Sequence, residues 1–141
     1  MYRHEYKYLA PEFRLAMLER RVASVLTLDS YAAPKGFYHI RSLYFDNSCY
    51  RENEDGTQPR EKFRIRMYDC SASVIQLELK RKEGGKTLKR SCPLSLERCQ
   101  MLLAGDVPPL RCDDGPLFRH FWTALRTVNL RPATIVSYDR V

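Results

Sequence analysis

Three basic side chains alternate with apolar ones along residues 61–68: Lys62, Arg64 and Arg66. Successive side chains of a β-strand point to opposite faces, so these cations share one face and Phe63, Ile65 and Met67 share the other. Guanidinium groups bind phosphate oxygens through paired hydrogen bonds, and ammonium groups act as compact point charges. The pattern therefore predicts a strand with a cationic face suited to phosphate or another polyanion.

The same alternation follows in residues 74–82, where the charges fall at Glu78, Lys80 and Lys82. If the two strands pair, Lys80 joins the arginines on one surface, where like charges destabilise a sheet unless an anion lies among them. The alternative is a solvated face without a ligand, because antiparallel sheets often expose one polar face to water.

The composition of the chain indicates its class and the kind of partner that it could bind. Its 141 residues are 44% hydrophobic and 29% charged, which is typical of one folded globular domain and excludes a disordered chain. There are 24 Lys and Arg against 17 Asp and Glu, giving a formal charge of +7. This excess favours an anionic partner such as phosphate, a nucleotide, nucleic acid or a lipid surface.

The cysteines and the hydropathy pattern indicate the compartment. Five cysteines lack the Cys-x-x-Cys spacing of a zinc site and are expected to be reduced and mostly buried: Cys49, Cys70, Cys92, Cys99 and Cys112. The N-terminus does not resemble a signal peptide, and no apolar run approaches the roughly 20 residues of a membrane helix. We therefore expect a soluble cytoplasmic protein without a membrane segment.

The elements that must position the cations follow from periodicity and turn residues. Strands are predicted at 2–9, 37–45, 61–68, 74–82, 87–93 and 131–140, with a glycine hairpin at 83–86 and a short helical turn within 49–59. Helices are predicted from Pro11 to before Asp29, from Ser95 to Gly105, and over 117–128. Apolar stripes on the first and last helices are expected in the core. The class is α+β, with a curved antiparallel sheet packed on helices.

Five motifs, in order, resemble the VTC domain, the polyphosphate polymerase module of the triphosphate tunnel metalloenzymes, which are related to the CYTH proteins. They are Arg3-x-Glu5-x-Lys7-Tyr8, Arg41-Ser42-Leu43-Tyr44-Phe45-Asp46, Arg64-x-Arg66-x-Tyr68, Leu77-Glu78-Leu79-Lys80 and Tyr138-x-Arg140. The resemblance covers essentially the whole chain. It implies an eight-stranded antiparallel tunnel, or barrel, lined by Lys and Arg. Such a tunnel holds triphosphate or polyphosphate with a divalent Mn or Mg ion, and transfers the ATP γ-phosphoryl group to a polyphosphate chain.

The resemblance also assigns residues. It implies phosphate binding by Lys7, Arg64, Arg66, Lys80, Lys89, Tyr138 and Arg140, with Arg64 and Arg66 also catalytic and Lys89 the weaker match. Glu5 corresponds to a metal-binding carboxylate of the CYTH enzymes, but Arg3 replaces their other glutamate. Glu5 and Glu78 are therefore only weak metal candidates, and Glu78 is expected rather to pair with the basic residues.

Family members continue beyond the Tyr138-x-Arg140 strand through further strands that carry the principal metal-binding glutamate. As a single domain over residues 1–141, the chain is expected to match about the first two thirds of the family domain and to be inactive alone. An incomplete barrel exposes strand edges, so self-association is expected. The alternatives are a tunnel triphosphatase, which Arg3 disfavours, and a non-catalytic module that binds polyphosphate or nucleic acid. Specific nucleic-acid binding is not expected, because no recognition helix or interleaved exposed aromatics accompany the basic residues.

Overall fold

Six antiparallel strands form a single sheet in the computed structural model of the protein, which describes residues 2–4, 6–29, 32, 35–47 and 60–140. The strands are β1 (Tyr2–Arg3), β2 (Tyr38–Asp46), β3 (Arg60–Tyr68), β4 (Ser71–Glu83), β5 (Lys86–Pro93) and β6 (Arg131–Arg140). Their order is β1-β5-β4-β3-β2-β6. The helices are α1 (Glu12–Ala23), α2 (Leu96–Leu103) and α3 (Pro116–Thr127).

This arrangement confirms the α+β class and the antiparallel sheet with flanking helices. Within the described residues the sheet is open, with β1 and β6 at its two ends, so these six strands do not form the barrel that the sequence led us to expect. Closure would require β1 and β6 to pair with each other or through further strands.

The predicted glycine hairpin joins β4 to β5. Gly84 and Gly85 have φ angles of 53° and 75°, and Glu83 lies opposite Lys86. Two consecutive left-handed residues make the tight turn whose twist matches the flanking strands, and glycine adopts that conformation without a Cβ penalty. The turn fixes the register of every cross-strand pair between β4 and β5.

One face of the sheet packs against α2 and α3 and forms the main core. Phe121 of α3 is fully buried, with its ring centroid 5.0 Å from that of Phe45 and 5.1 Å from that of Phe63. The predicted apolar stripe of α3 is confirmed at Leu117, Phe118, Phe121 and Leu125, which are all buried. Val128, which closes the helix predicted over 117–128, lies just beyond the end of α3 at Thr127 and is exposed.

Arg98 ties α2 to the loop before α3. Its backbone N–H donates a hydrogen bond of 3.3 Å to Ser95 Oγ, and this bond caps the start of α2. Its guanidinium donates to both Asp114 oxygens and to the Pro109 carbonyl, and lies 4.1 Å from the centroid of the Phe118 ring. The hydrogen bond from Arg98 holds the pKa of Asp114 below its usual value.

The N-terminal region differs from the expectation. The strand predicted at 2–9 is wrong beyond Arg3, because residue 4 and residues 6–11 form no helix or strand. Helix α1 ends at Ala23, and its stripe is exposed rather than buried, at Phe13, Leu15, Met17, Leu18 and Val22. Periodicity identifies an apolar stripe, but burial requires a partner, and α1 has no buried residue. The turn predicted within 49–59 lies outside the described residues.

The cysteines are less buried than expected. Cys99 is buried and Cys92 partly buried, but Cys70 and Cys112 are exposed, which corrects the expectation for those two; Cys49 lies outside the described residues. The four described thiols are free. Among the described helices, none has the length and apolar character needed to cross a membrane.

Exposed apolar side chains on β6 generate a first prediction. Ile135 is 62% exposed and Val136 39% exposed, on a strand at the end of the sheet. Such a strand pairs readily with another chain, so we expect concentration-dependent self-association by light scattering. Replacing Ile135 with Lys should shift the species toward monomer, because a charge on an end strand opposes pairing. A wild-type monomer at high concentration would contradict the prediction.

Candidate functional site

The sheet face opposite α2 and α3 is polar, and the strand registers order its residues in rows. One row across β2 to β5 contains Tyr44, Arg64, Glu78 and Ser91. The rows beside it contain Ser42, Arg66 and Gln76 on one side and Lys62, Lys80 and Lys89 on the other. We call these three rows the polar face. Its residues come from four strands, so their grouping depends on the register of the whole sheet.

Glu78 lies at the centre of the polar face, with its side chain only 3% exposed. Its Oε2 accepts a hydrogen bond from Arg64 Nε at 2.6 Å, and Arg66 Nε lies 3.7 Å away. Its Oε1 is 2.7 Å from Lys89 Nζ. Three cations from β3 and β5 therefore surround a single carboxylate, and the cluster carries an excess of positive charge.

The electrostatics of Glu78 follow from this geometry. Burial alone would raise the pKa of Glu78, but the hydrogen bond from Lys89 and the charges of Arg64 and Arg66 outweigh burial and hold that pKa below its usual value. Burial would lower the pKa of Arg64, whereas Glu78 and Tyr44 raise it above its ordinary value. Both groups are therefore charged at neutral pH, each stabilised by the other.

Neutral hydroxyl groups fix the two arginines further. Arg64 Nη1 donates to the Tyr44 hydroxyl at 2.8 Å, while Arg66 donates to Ser42 Oγ at 3.4 Å and to the Tyr138 hydroxyl at 3.3 Å. Tyr138 thus lies beside the arginines. Our sequence analysis did not assign Ser42 and Tyr44 to the site, although their alternation in the second motif was a signal for one shared face.

The lysine row places like charges directly opposite one another. Lys80 of β4 pairs in register with Lys62 of β3 on one side and Lys89 of β5 on the other. Side chains in such positions have Cβ atoms roughly 4.5–5.5 Å apart, a spacing at which cations repel. The register also shows that Lys89, and not its neighbour Arg90, lies on the polar face.

Two further residues assigned from the sequence, Arg140 and Lys7, are not among the described contacts of Glu78. Arg140 donates from Nη1 to the Tyr38 hydroxyl at 3.3 Å, near the end of β6. Lys7 is exposed, lies outside any strand, and makes no hydrogen bond or ion pair with the described part of the chain. Glu5 lies outside the described residues.

A divalent metal, implied by the resemblance, would need several oxygen donors. The described residues contain no group of three or more His, Cys, Asp or Glu side chains that could hold a metal. Both oxygens of Glu78 are engaged by nitrogen cations, so this carboxylate does not fit the role of a metal ligand. In the described part of the chain, the charged groups of the polar face are therefore its cations and the carboxylate of Glu78 that pairs with them.

Comparison with protein families gives one decisive match. The family model of the VTC domain matches residues 2–141, almost the whole chain. The chain belongs to the VTC domain family. This result confirms the resemblance found through the five motifs and relates the chain to polyphosphate polymerases. No curated protein matches it.

Glu78 of this VTC domain generates a prediction on stability and pH. Replacing Glu78 with Gln removes the buried countercharge of the arginines and should lower the free energy of unfolding at pH 7 by about 2 kcal/mol. Because the pKa of Glu78 is lowered in the folded protein, its contribution is complete above the usual glutamate pKa of about 4.3 and is lost as the pH falls through the folded value. The difference between wild type and variant should therefore shrink on acidification.

Urea unfolding at pH 7, 4 and 3 measures this difference. The matched control is Glu97→Gln, because Glu97 is 71% exposed and pairs loosely with Arg111 at 3.6 Å. That control should stay within about 0.5 kcal/mol of wild type. A constant wild-type-to-E78Q difference across this pH range would contradict the lowered pKa.

Proposed function

We propose that this VTC domain binds a phosphate chain, either triphosphate or polyphosphate, along its polar face. The observation that carries the proposal is the buried carboxylate of Glu78 held by Arg64, Arg66 and Lys89. Lys89 also belongs to the row of facing lysines, with Lys80 and Lys62. A single carboxylate does not neutralise Arg64, Arg66 and Lys89 together. An anion with repeated charges along its length offsets the remaining repulsion between rows.

We further propose that the polar face lines a tunnel in the active protein. Residues of this face would catalyse transfer of the γ-phosphoryl group of ATP to polyphosphate. Phosphoryl transfer depends chiefly on fixed cations that meet the charge on the phosphoryl oxygens and hold donor and acceptor in line. Arg64 and Arg66 suit this role, because Glu78, Tyr44 and Ser42 hold their guanidinium groups in place before any ligand binds. Their alignment then costs little on binding.

A second candidate is a domain that binds polyphosphate without turnover. It is favoured by the engagement of both Glu78 oxygens with cations, and by the lack of a carboxylate cluster within the described ranges. The two candidates share the same binding face and differ only in chemistry. ATP turnover therefore separates them, whereas binding does not.

The lysine row provides the cleanest test of binding. Replacing both arginines would leave the buried Glu78 with Lys89 alone, and loss of binding could then reflect unfolding. The double variant Lys62→Ala, Lys80→Ala avoids that problem by leaving the Glu78 pairs intact. We expect its affinity for tripolyphosphate, measured by calorimetry, to fall about tenfold or more.

The control for this test is Lys86→Ala. Lys86 is exposed on β5, opposite Glu83 at the hairpin, and lies outside the polar face. Its affinity should stay within about twofold of wild type. Equal losses in both variants, or displacement of tripolyphosphate by an oligonucleotide at matched phosphate concentration, would point to nonspecific attraction to a basic surface.

Incubation with ATP and Mn²⁺ distinguishes the two candidates. We expect this chain to bind ATP without accumulating polyphosphate, because its described carboxylates form no metal-binding group. Gel electrophoresis of the products would detect a polymer, and a phosphate assay would detect hydrolysis. Polymer would establish the transferase, whereas phosphate release without polymer would indicate a triphosphatase.

A further inference from the structure

A cavity of about 480 Å³ opens on the other face of the sheet, between β3 to β5 and the start of α3. We call it the helix-side cavity. Leu79, Leu88 and Leu117 form its apolar floor, and Glu61, Arg81, Arg90 and His120 contribute its polar groups. It is separated from the polar face by the sheet, because Lys80 and Lys89 point the opposite way from their neighbours Leu79, Arg81 and Arg90.

The carboxylates near the cavity are already engaged. Glu61 Oε2 lies 2.7 Å from His120 Nε2, and Glu61 Oε1 lies 3.5 Å from Arg81 Nη1. Glu83 Oε2 lies 3.2 Å from Arg81 Nη2. Arg81 therefore has two countercharges, although its Nε is shielded from solvent and has no acceptor among the described residues.

Arg90 is the second arginine that lines the helix-side cavity, and it differs from Arg81 in its partners. It is exposed, lies opposite Leu79 in the register, and makes no hydrogen bond or ion pair with the described residues. Arg81 pairs with Leu88, so the two arginines occupy diagonal positions on β4 and β5. Diagonal neighbours in a sheet are roughly 7–8 Å apart, a spacing from which two long guanidinium side chains can reach one oxyanion.

We propose that the helix-side cavity binds a small anion with an apolar body, namely an aromatic or alkyl group bearing a carboxylate or a phosphate. The anionic head lies between Arg90 and Arg81, and the apolar body covers Leu79, Leu88 and Leu117. The volume falls in the range of small-molecule sites, which combine apolar walls with a few polar groups. A phosphate chain has no apolar part and gains nothing from this floor. The inference is therefore independent of the proposed function of the polar face.

Titration of the ¹⁵N-labelled protein with 3-phenylpropanoate, phenyl phosphate and the neutral 3-phenylpropanol tests this proposal by NMR. Both anions should shift the amide resonances of Leu79, Leu88 and His120, and the alcohol should bind about tenfold more weakly or not at all. Comparison of the two anions identifies the preferred head group.

The variant Arg90→Ala should weaken binding of the preferred anion about tenfold, since it removes the exposed cation that has no partner among the described residues. The control Arg111→Ala, an exposed arginine paired with Glu97, should change it less than about twofold. The proposal is overturned if no shifts occur at millimolar ligand, if shifts are confined to the polar face, or if R90A binds like wild type.

Discussion

The buried carboxylate of Glu78 is the interaction on which the polar face depends. The sheet places Arg64, Arg66 and three lysines on one side, where their positive charges repel one another. Because this face is partly buried, water and salt screen that repulsion only weakly. Glu78 offsets part of it from the centre, through contacts of 2.6 Å to Arg64 and 2.7 Å to Lys89. Arg64, Arg66 and Lys89 together still carry more charge than the single carboxylate cancels, and their contacts with Glu78 keep the arginines fixed.

The opposite face of the same strands explains how this site is held. Phe63 and Ile65 alternate with the arginines on β3, and Leu77 and Leu79 flank Glu78 on β4; all four are buried in the main core. Packing against α2 and α3 therefore fixes the strand register, and the register fixes which cation faces which carboxylate. A shift of one residue would turn the whole polar set into the core, so core packing and site geometry are mutually dependent.

Belonging to the VTC domain family gives the polar face a chemical context, and the described structure adds detail to it. Ser42, Tyr44 and Tyr138 are neutral partners that orient guanidinium groups without cancelling their charge. The Glu78 carboxylate contacts nitrogen atoms of Arg64 and Lys89 and holds these side chains in place. The guanidinium groups are thus held in place by the fold itself, which supports the proposal that an anion binds here with little further ordering.

The sequence by itself determined the α+β class, the strands from β2 onward, the glycine hairpin and the shared face of Arg64, Arg66 and Lys80, because alternation and turn residues are local properties. It could not place Lys89 relative to Arg90, since that choice depends on the β4–β5 register. Nor could it show that α1 lacks a buried residue, that the strand at the N-terminus stops at Arg3, or that Ser42 and Tyr44 contact the arginines. These features depend on which elements pack together, and only the tertiary structure decided them.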